Sequence, residues 1–141
     1  MKILIPIDGS DSANRAVDQV IATASLLKEA PQILLLNVQW NIASGNVKLF
    51  INQQTINDYY REQGMAALAS ARKKLDAAGL AYSYHVSIGT PAEAIVQYAQ
   101  EQQVDQITMG AQGQGALSTL LLGSVVNKVA HLSTVSVLLV K

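Results

Sequence analysis

Chemistry in this chain is concentrated in a run of glycines. Gly110-Ala-Gln-Gly113-Gln-Gly115 follows an apolar stretch, and Gly123-Ser124 stands eight residues beyond it, giving the spacing G-x2-G-x9-G-S. Glycine accepts positive φ and lets backbone N–H groups approach a ligand with no Cβ in the way. A Gly-Ser pair opening a helix adds a hydroxyl and the free amides of a helix start, both suited to an anion. The pattern points to phosphate, while a plain strand-to-helix turn is the alternative that the loop alone leaves open. A second polar residue, Asp8, closes the apolar run Ile3–Ile7 just before Gly9-Ser10. Its carboxylate can accept a hydrogen bond from an exocyclic amine, or it can be an ordinary turn or cap residue. Ser124 is equally two-sided, a donor to phosphate or to a metal-bound water on one reading and an N-cap on the other.

Other chemistries lack their parts. No Lys-Ser or Lys-Thr follows the glycines, so this is not a Walker-type loop, and Lys128 lies one turn past Ser124, facing away from a bound phosphate. No arginine stands beside the loop to stabilise a transferring phosphoryl group, and no acid is placed to orient water, so hydrolysis should be slow or absent. His85 and His131 fall far apart in the element order, one on a sheet face and one in a last helical turn, which argues against a metal pair or a Ser-His-Asp site. A receiver domain needs an acidic cluster at the first strand, where only Asp8 and Asp11 occur; a flavin carrier needs more aromatics than the 5% present.

The elements that must position these residues follow from hydrophobic periodicity. Ile3–Ile7 reads as a strand, and Ala13, Ala16, Val17, Val20, Ile21, Ala24 and Leu27 form a helical stripe after it. Ile33–Val38 is apolar on both faces apart from Asn37, as a central parallel strand should be. From Trp40 to about Thr55 the chain is polar and mixed, a lid, a partner surface or a plain loop. Tyr60, Leu68, Ala71, Leu75 and Ala78 mark a long helix that Gly79 can terminate. Ala81 to Ile88 alternates like an edge strand. Thr90-Pro-Ala-Glu93 reads as a capping box opening the next helix, with Ala94, Ile95, Tyr98 and Ala99 inward. Val104–Met109, a helix carrying Val125, Val129 and Leu132, and Val135–Val140 complete the order βαβαβαβαβ.

That alternation predicts a single three-layer α/β/α domain over residues 1–141, built on a five-stranded parallel sheet with helices on both faces. In such sheets ligands bind beyond the carboxyl ends of the strands where the order reverses. With a strand order of 3-2-1-4-5 the reversal lies between strands one and four, which makes Asp8 a neighbour of the glycine loop. Composition agrees with one packed domain, since half of the 141 residues are apolar and only 14% are charged. A formal charge of zero with scattered Lys and Arg speaks against nucleic acid. The absence of cysteine excludes disulfides and thiolate sites. The opening apolar run is too short for a signal peptide, and no run approaches the roughly 20 apolar residues of a membrane span. The expectation is a soluble cytoplasmic protein without a membrane anchor.

The chain resembles the universal stress protein family, specifically its nucleotide-binding branch, over nearly its whole length, and the resemblance implies a Rossmann-like fold of the adenine nucleotide alpha hydrolase-like type with strand order 3-2-1-4-5. The resemblance is carried by Ile5-Pro-Ile-Asp8-Gly-Ser10, Gly89-Thr-Pro-Ala-Glu93-Ala-Ile, Met109-Gly-Ala-Gln-Gly113 and Leu122-Gly-Ser124-Val. The family's ATP signature, G-x2-G-x9-G-[ST], is matched without gaps at Gly110, Gly113, Gly123 and Ser124. The resemblance implies an ATP site, open also to ADP or AMP, in which the loop glycines with Gly123-Ser124 hold phosphates and ribose, Asp8 contacts adenine, and backbone near Val38 completes the base pocket. Pro6, Met109, Gly115 and Val125 belong to the same candidate set. Without a lysine at the loop, tight binding of ATP should need Mg2+ or Mn2+ carried on the phosphates and waters.

The resemblance also implies a homodimer through the last strand, Val135–Val140, which is either deep in the sheet or a free edge for a second copy. Where the family often has proline, this strand has Ser136, a departure that bears on the dimer contacts. Three activities follow as expectations: a nucleotide-dependent regulator or sensor in stress response, a weak ATPase or nucleotide-transferring enzyme, and a dimerising module that binds little nucleotide.

Overall fold

A computed structural model describes residues 1–41, 52–113 and 121–141. Its elements are β1 (Lys2–Pro6), α1 (Asp11–Ala24), β2 (Gln32–Gln39), α2 (Gln53–Ala77), β3 (Tyr82–Ile88), α3 (Pro91–Glu101), β4 (Gln106–Gly110), α4 (Ser124–Leu132) and β5 (Ser136–Val140). The strands are all parallel, as the alternation predicts, and lie in the expected order β3-β2-β1-β4-β5.

Alternation along the strands sorts side chains into two cores. Ile3, Ile5, Ile7 and Leu35 face α1 and α2, where they meet Val17, Val20, Leu68 and Leu75. Leu4, Leu34 and Leu36 point the other way, onto Ile95, Val96, Val126 and Val129 of α3 and α4. The central strands therefore bury both faces and need apolar residues at nearly every position. Edge strand β3 is half open, with Tyr84 and Ile88 exposed. Strand β5 is the other edge and not a deep strand: it pairs with β4, and Leu138 is exposed. Among the described residues no helix is long and apolar enough to cross a membrane.

Helix boundaries depart from the periodic reading at three places. Helix α1 stops at Ala24 with Ser25 as its C-cap; Leu26 and Leu27 lie beyond it in tight turns and are exposed, so Leu27 is not part of the buried stripe. Helix α2 begins at Gln53, within the stretch read as irregular to Thr55. Its first turn buries Ile56 against Tyr60 and is otherwise held by polar bonds: the Asn52 side chain accepts from Gln54 N, and Gln53 and Gln54 donate to Asn57 and Asp58 four residues on. In α4 the buried positions are Val126 and Val129, while Leu132 is exposed.

The caps vary in kind. Ser10 caps α1 by accepting from Ala13 N at 3.1 Å. Ala78 caps α2, and Gly79 follows at φ +67, a left-handed conformation that favours glycine. The Thr90 capping box does not form: Thr90 is the cap and Pro91 opens α3, but the Thr90 side chain makes no cap bond. Glu93 pairs instead with Lys128 of α4.

Candidate functional site

The carboxyl ends of β1, β2 and β4 surround a cleft of about 680 Å3, well within the range of small-molecule sites. Pro6, Asp8, Val38, Met109, Gly110, Gly113, Gly123, Ser124 and Val125 all line it. Gly115 lies outside the described residues.

At the end of β1, Asp8 Oδ1 accepts from Ser10 N at 2.9 Å, across Gly9 at φ 84. One carboxylate oxygen thus serves the turn, the ordinary role. The other, Oδ2, faces the glycine loop, since a Cβ built on Gly113 would stand 3.2 Å from it. Asp8 and the loop are therefore neighbours across the strand reversal.

The glycines of the loop differ in what requires them. Gly110 is fixed by packing: a Cβ there would fall 2.4 Å from the Ser12 carbonyl carbon, because β4 runs directly against the first turn of α1. Ser12 Oγ then accepts from Gln112 N at 3.2 Å and ties the start of the loop to the same turn. Gly123 N donates to Ala111 O at 3.0 Å, so this amide is committed within the protein. Gly123 serves in another way, as the N-cap of α4 with no side chain to cover the first turn. The amides of Ser124, Val125 and Val126 stand at the helix start, where no preceding turn supplies carbonyls. Because the cap position is Gly123, Ser124 is the first helical residue and not an N-cap. A Cβ on Gly123 would also crowd Gly113 N, at 3.2 Å.

Electrostatically the cleft is quiet. Asp8 is the one ionisable acid or base of the Asp, Glu, Lys, Arg and His types among its described lining residues, and the N-termini of α1, α3 and α4 open toward it with positive potential. Lys128 is held away by Glu93; that ion pair keeps the Glu93 carboxyl below its usual range. No group of three His, Cys, Asp or Glu side chains able to hold a metal occurs among the described residues. His85 stacks flat on Tyr98, ring centroids 5.3 Å apart, and His131 sits in the last turn of α4. Burial pushes the Tyr98 hydroxyl pKa up.

Residues 1–141 match the universal stress protein family. The chain belongs to that family. Among universal stress proteins, MJ0531 of Methanocaldococcus jannaschii is 32% identical over 144 residues, covering 99% of this chain and 81% of the relative. The solved structure of MJ0577, from the same organism, has a TM-score of 0.82 at 31% identity, covering 99% of this chain and 94% of that one. A universal stress protein solved in complex with cAMP has a TM-score of 0.73 at 25% identity, covering 100% of this chain and 97% of its own.

This universal stress protein also brings to the cleft residues that the motif does not contain. Asn37, Gln39, Trp40, Tyr59, Tyr60 and Gln112 line it as well. Asn37 was visible in the sequence as the one polar residue in an apolar strand, a signal of a buried polar contact. Tyr59 and Tyr60 sit on α2 and had no signal, because only the fold folds that helix back over the end of β2.

Proposed function

We propose that this universal stress protein binds an adenine nucleotide, ATP first and ADP or AMP also, in the cleft at the ends of β1, β2 and β4. The phosphates lie over Gly113 and the open first turn of α4, with Ser124 as a hydroxyl donor, and the base lies toward Asp8 and the backbone at Val38. The observation that carries this reading is the meeting of Asp8 Oδ2, Gly113 and the glycine-capped start of α4 in one cleft. The cAMP complex of a structural relative supports it.

Occupancy, and not turnover, is the working signal: the protein acts as a nucleotide-dependent regulator or sensor in the cytoplasm. The described cleft wall holds no lysine or arginine to stabilise a transferring phosphoryl group, so hydrolysis is slow or absent. A divalent cation would arrive on the phosphate oxygens and keep most of its waters, one of which the Ser124 hydroxyl could bond. Homodimerisation through β5 belongs to the same proposal, supported by the open edge and the exposed Leu138.

Two measurements test the reading. Mass spectrometry of the purified protein should find adenine nucleotide carried through at near-stoichiometric levels, and calorimetry should give tighter ATP binding with Mg2+ or Mn2+ than with chelator. Phosphate release well above that of Gly113→Ala would favour an enzyme instead. Undetectable nucleotide binding in both experiments would favour an interaction module.

A further inference from the structure

Two amide side chains on β2 are locked to one another at the base end of the cleft. Asn37, 2% exposed, donates from Nδ2 to Ile7 O at 2.7 Å, the carbonyl just before Asp8. Gln39 donates from Nε2 to Asn37 Oδ1 at 2.6 Å, and both residues line the cleft. The directions of these bonds are forced by chemistry. Ile7 O can only accept, so Asn37 must turn its NH2 toward it and its oxygen toward Gln39. That oxygen can only accept, so Gln39 must turn its own NH2 toward Asn37. A glutamine free to rotate is ambidextrous and accommodates a donor or an acceptor equally well. One held through this chain is not, because flipping it would set two carbonyl oxygens face to face.

The lock has independent support in the packing. An added Cβ on Gly64 of α2 would lie 3.1 Å from Asn37 Oδ1 and closer still to the Val86 methyl groups, so α2 closes over Asn37. Ile7 is itself held to β2 by Ile7 N donating to Leu36 O at 2.8 Å.

We propose that Gln39, oriented by Asn37, is a specificity-determining residue of this cleft, selecting a 6-aminopurine over a 6-oxopurine. The inference rests on the nucleotide reading above and adds to it the residue that reads the ring. With one Nε2–H bonded to Asn37 the amide cannot flip, so Gln39 offers Oε1 as a fixed acceptor with its second Nε2–H beside it. An exocyclic amine satisfies it, whereas a 6-oxo group presents a second acceptor and leaves both oxygens unsatisfied. Asn37 is a positioning residue, acting through Gln39 and through the carbonyl that precedes Asp8.

The test is calorimetry of the full chain with Mg2+ and either ATP or inosine triphosphate, which differ at the 6-position of the purine. Wild-type protein should prefer ATP by about tenfold or more. Gln39→Leu, at a partly exposed position, should bring the ratio of the two dissociation constants down to within about threefold. Asn37→Leu should narrow it as well, with Gln39 released to flip; circular dichroism establishes that this variant is folded, and the Gln39 variant decides alone if it is not. A Gln39→Leu protein that keeps the wild-type ratio overturns the proposal and assigns discrimination elsewhere, Asp8 first, while the nucleotide reading stands. Wild-type protein that binds neither triphosphate overturns both.

Discussion

Replacing Gly110 by alanine separates packing from ligand binding at the glycine loop. The new Cβ would stand 2.4 Å from the Ser12 carbonyl carbon, 2.4 Å from Ser12 Oγ and 2.5 Å from Ser12 O. Carbon contacts ordinarily settle near 3.5–4.0 Å, so β4 and the first turn of α1 must part by about 1 Å. Two of the three clashing atoms belong to the backbone, and no side-chain rotation relieves them. Overpacking of this kind costs about 1–3 kcal/mol. At roughly 4 °C per kcal/mol for a domain of this size, Tm falls by about 4–12 °C, without nucleotide present. The movement also loosens the Ser12 Oγ bond to Gln112 N, so nucleotide binding weakens as a secondary effect. Gly89→Ala is the control: its Cβ would meet only Ala94 Cβ, at 3.9 Å, and stability should change by no more than about 0.5 kcal/mol. Thermal and urea unfolding of the apo proteins read both numbers. A Gly110→Ala protein that melts within about a degree of wild type would show that β4 and α1 are not in the contact on which this estimate depends.

Three further outcomes are expected. Gly113→Ala places a methyl group 3.2 Å from Asp8 Oδ2 and should weaken ATP binding about tenfold while moving Tm by little; unchanged affinity in calorimetry would remove Gly113 from the phosphate site. Lys128 depresses the folded-state pKa of Glu93, so the stability this pair contributes is complete above the ordinary glutamate pKa and is lost as pH falls through the lower folded value. The small stability gap between wild type and Glu93→Gln should accordingly close as pH falls from the ordinary glutamate range through the lower folded value, and a gap that stays constant in urea titrations would discount the pairing. Leu138→Lys charges the exposed face of β5 and should convert a dimer to a monomer in sedimentation at micromolar concentration; a wild-type monomer under those conditions would refute dimerisation through this strand.

Periodicity was enough for the alternation of strands and helices because nearly every position of β1, β2 and β4 faces one of the two cores, leaving long apolar runs. Together with the strand order it placed Asp8 beside the glycine loop, since the reversal of that order is a topological fact. It failed where polar bonds supplement sparse apolar burial: beyond Ile56 the first turn of α2 is held by glutamines, and Glu93 prefers Lys128 across the helix pair to its own helix cap. The motif also could not say which glycine does what. Gly110 is demanded by Ser12 and Gly123 by the bare helix start, distinctions that only neighbouring backbone atoms reveal. Asn37 stood out in the sequence, but its partners Ile7 and Gln39 did not, because the chain of donors depends on how β1 and β2 align.

Ala111 sits between two bonds whose ends are far apart in function. Its amide donates to Val140 O at 2.8 Å, and its carbonyl receives Gly123 N at 3.0 Å. The cap of α4 is in this way tethered to the final residue of the outermost strand. A displacement of the helix start is felt along that strand, and a force on the strand is felt at the helix start. Linkage makes such a tether symmetric: whatever factor nucleotide contributes to the association of a second chain at β5, that chain returns to the affinity for nucleotide.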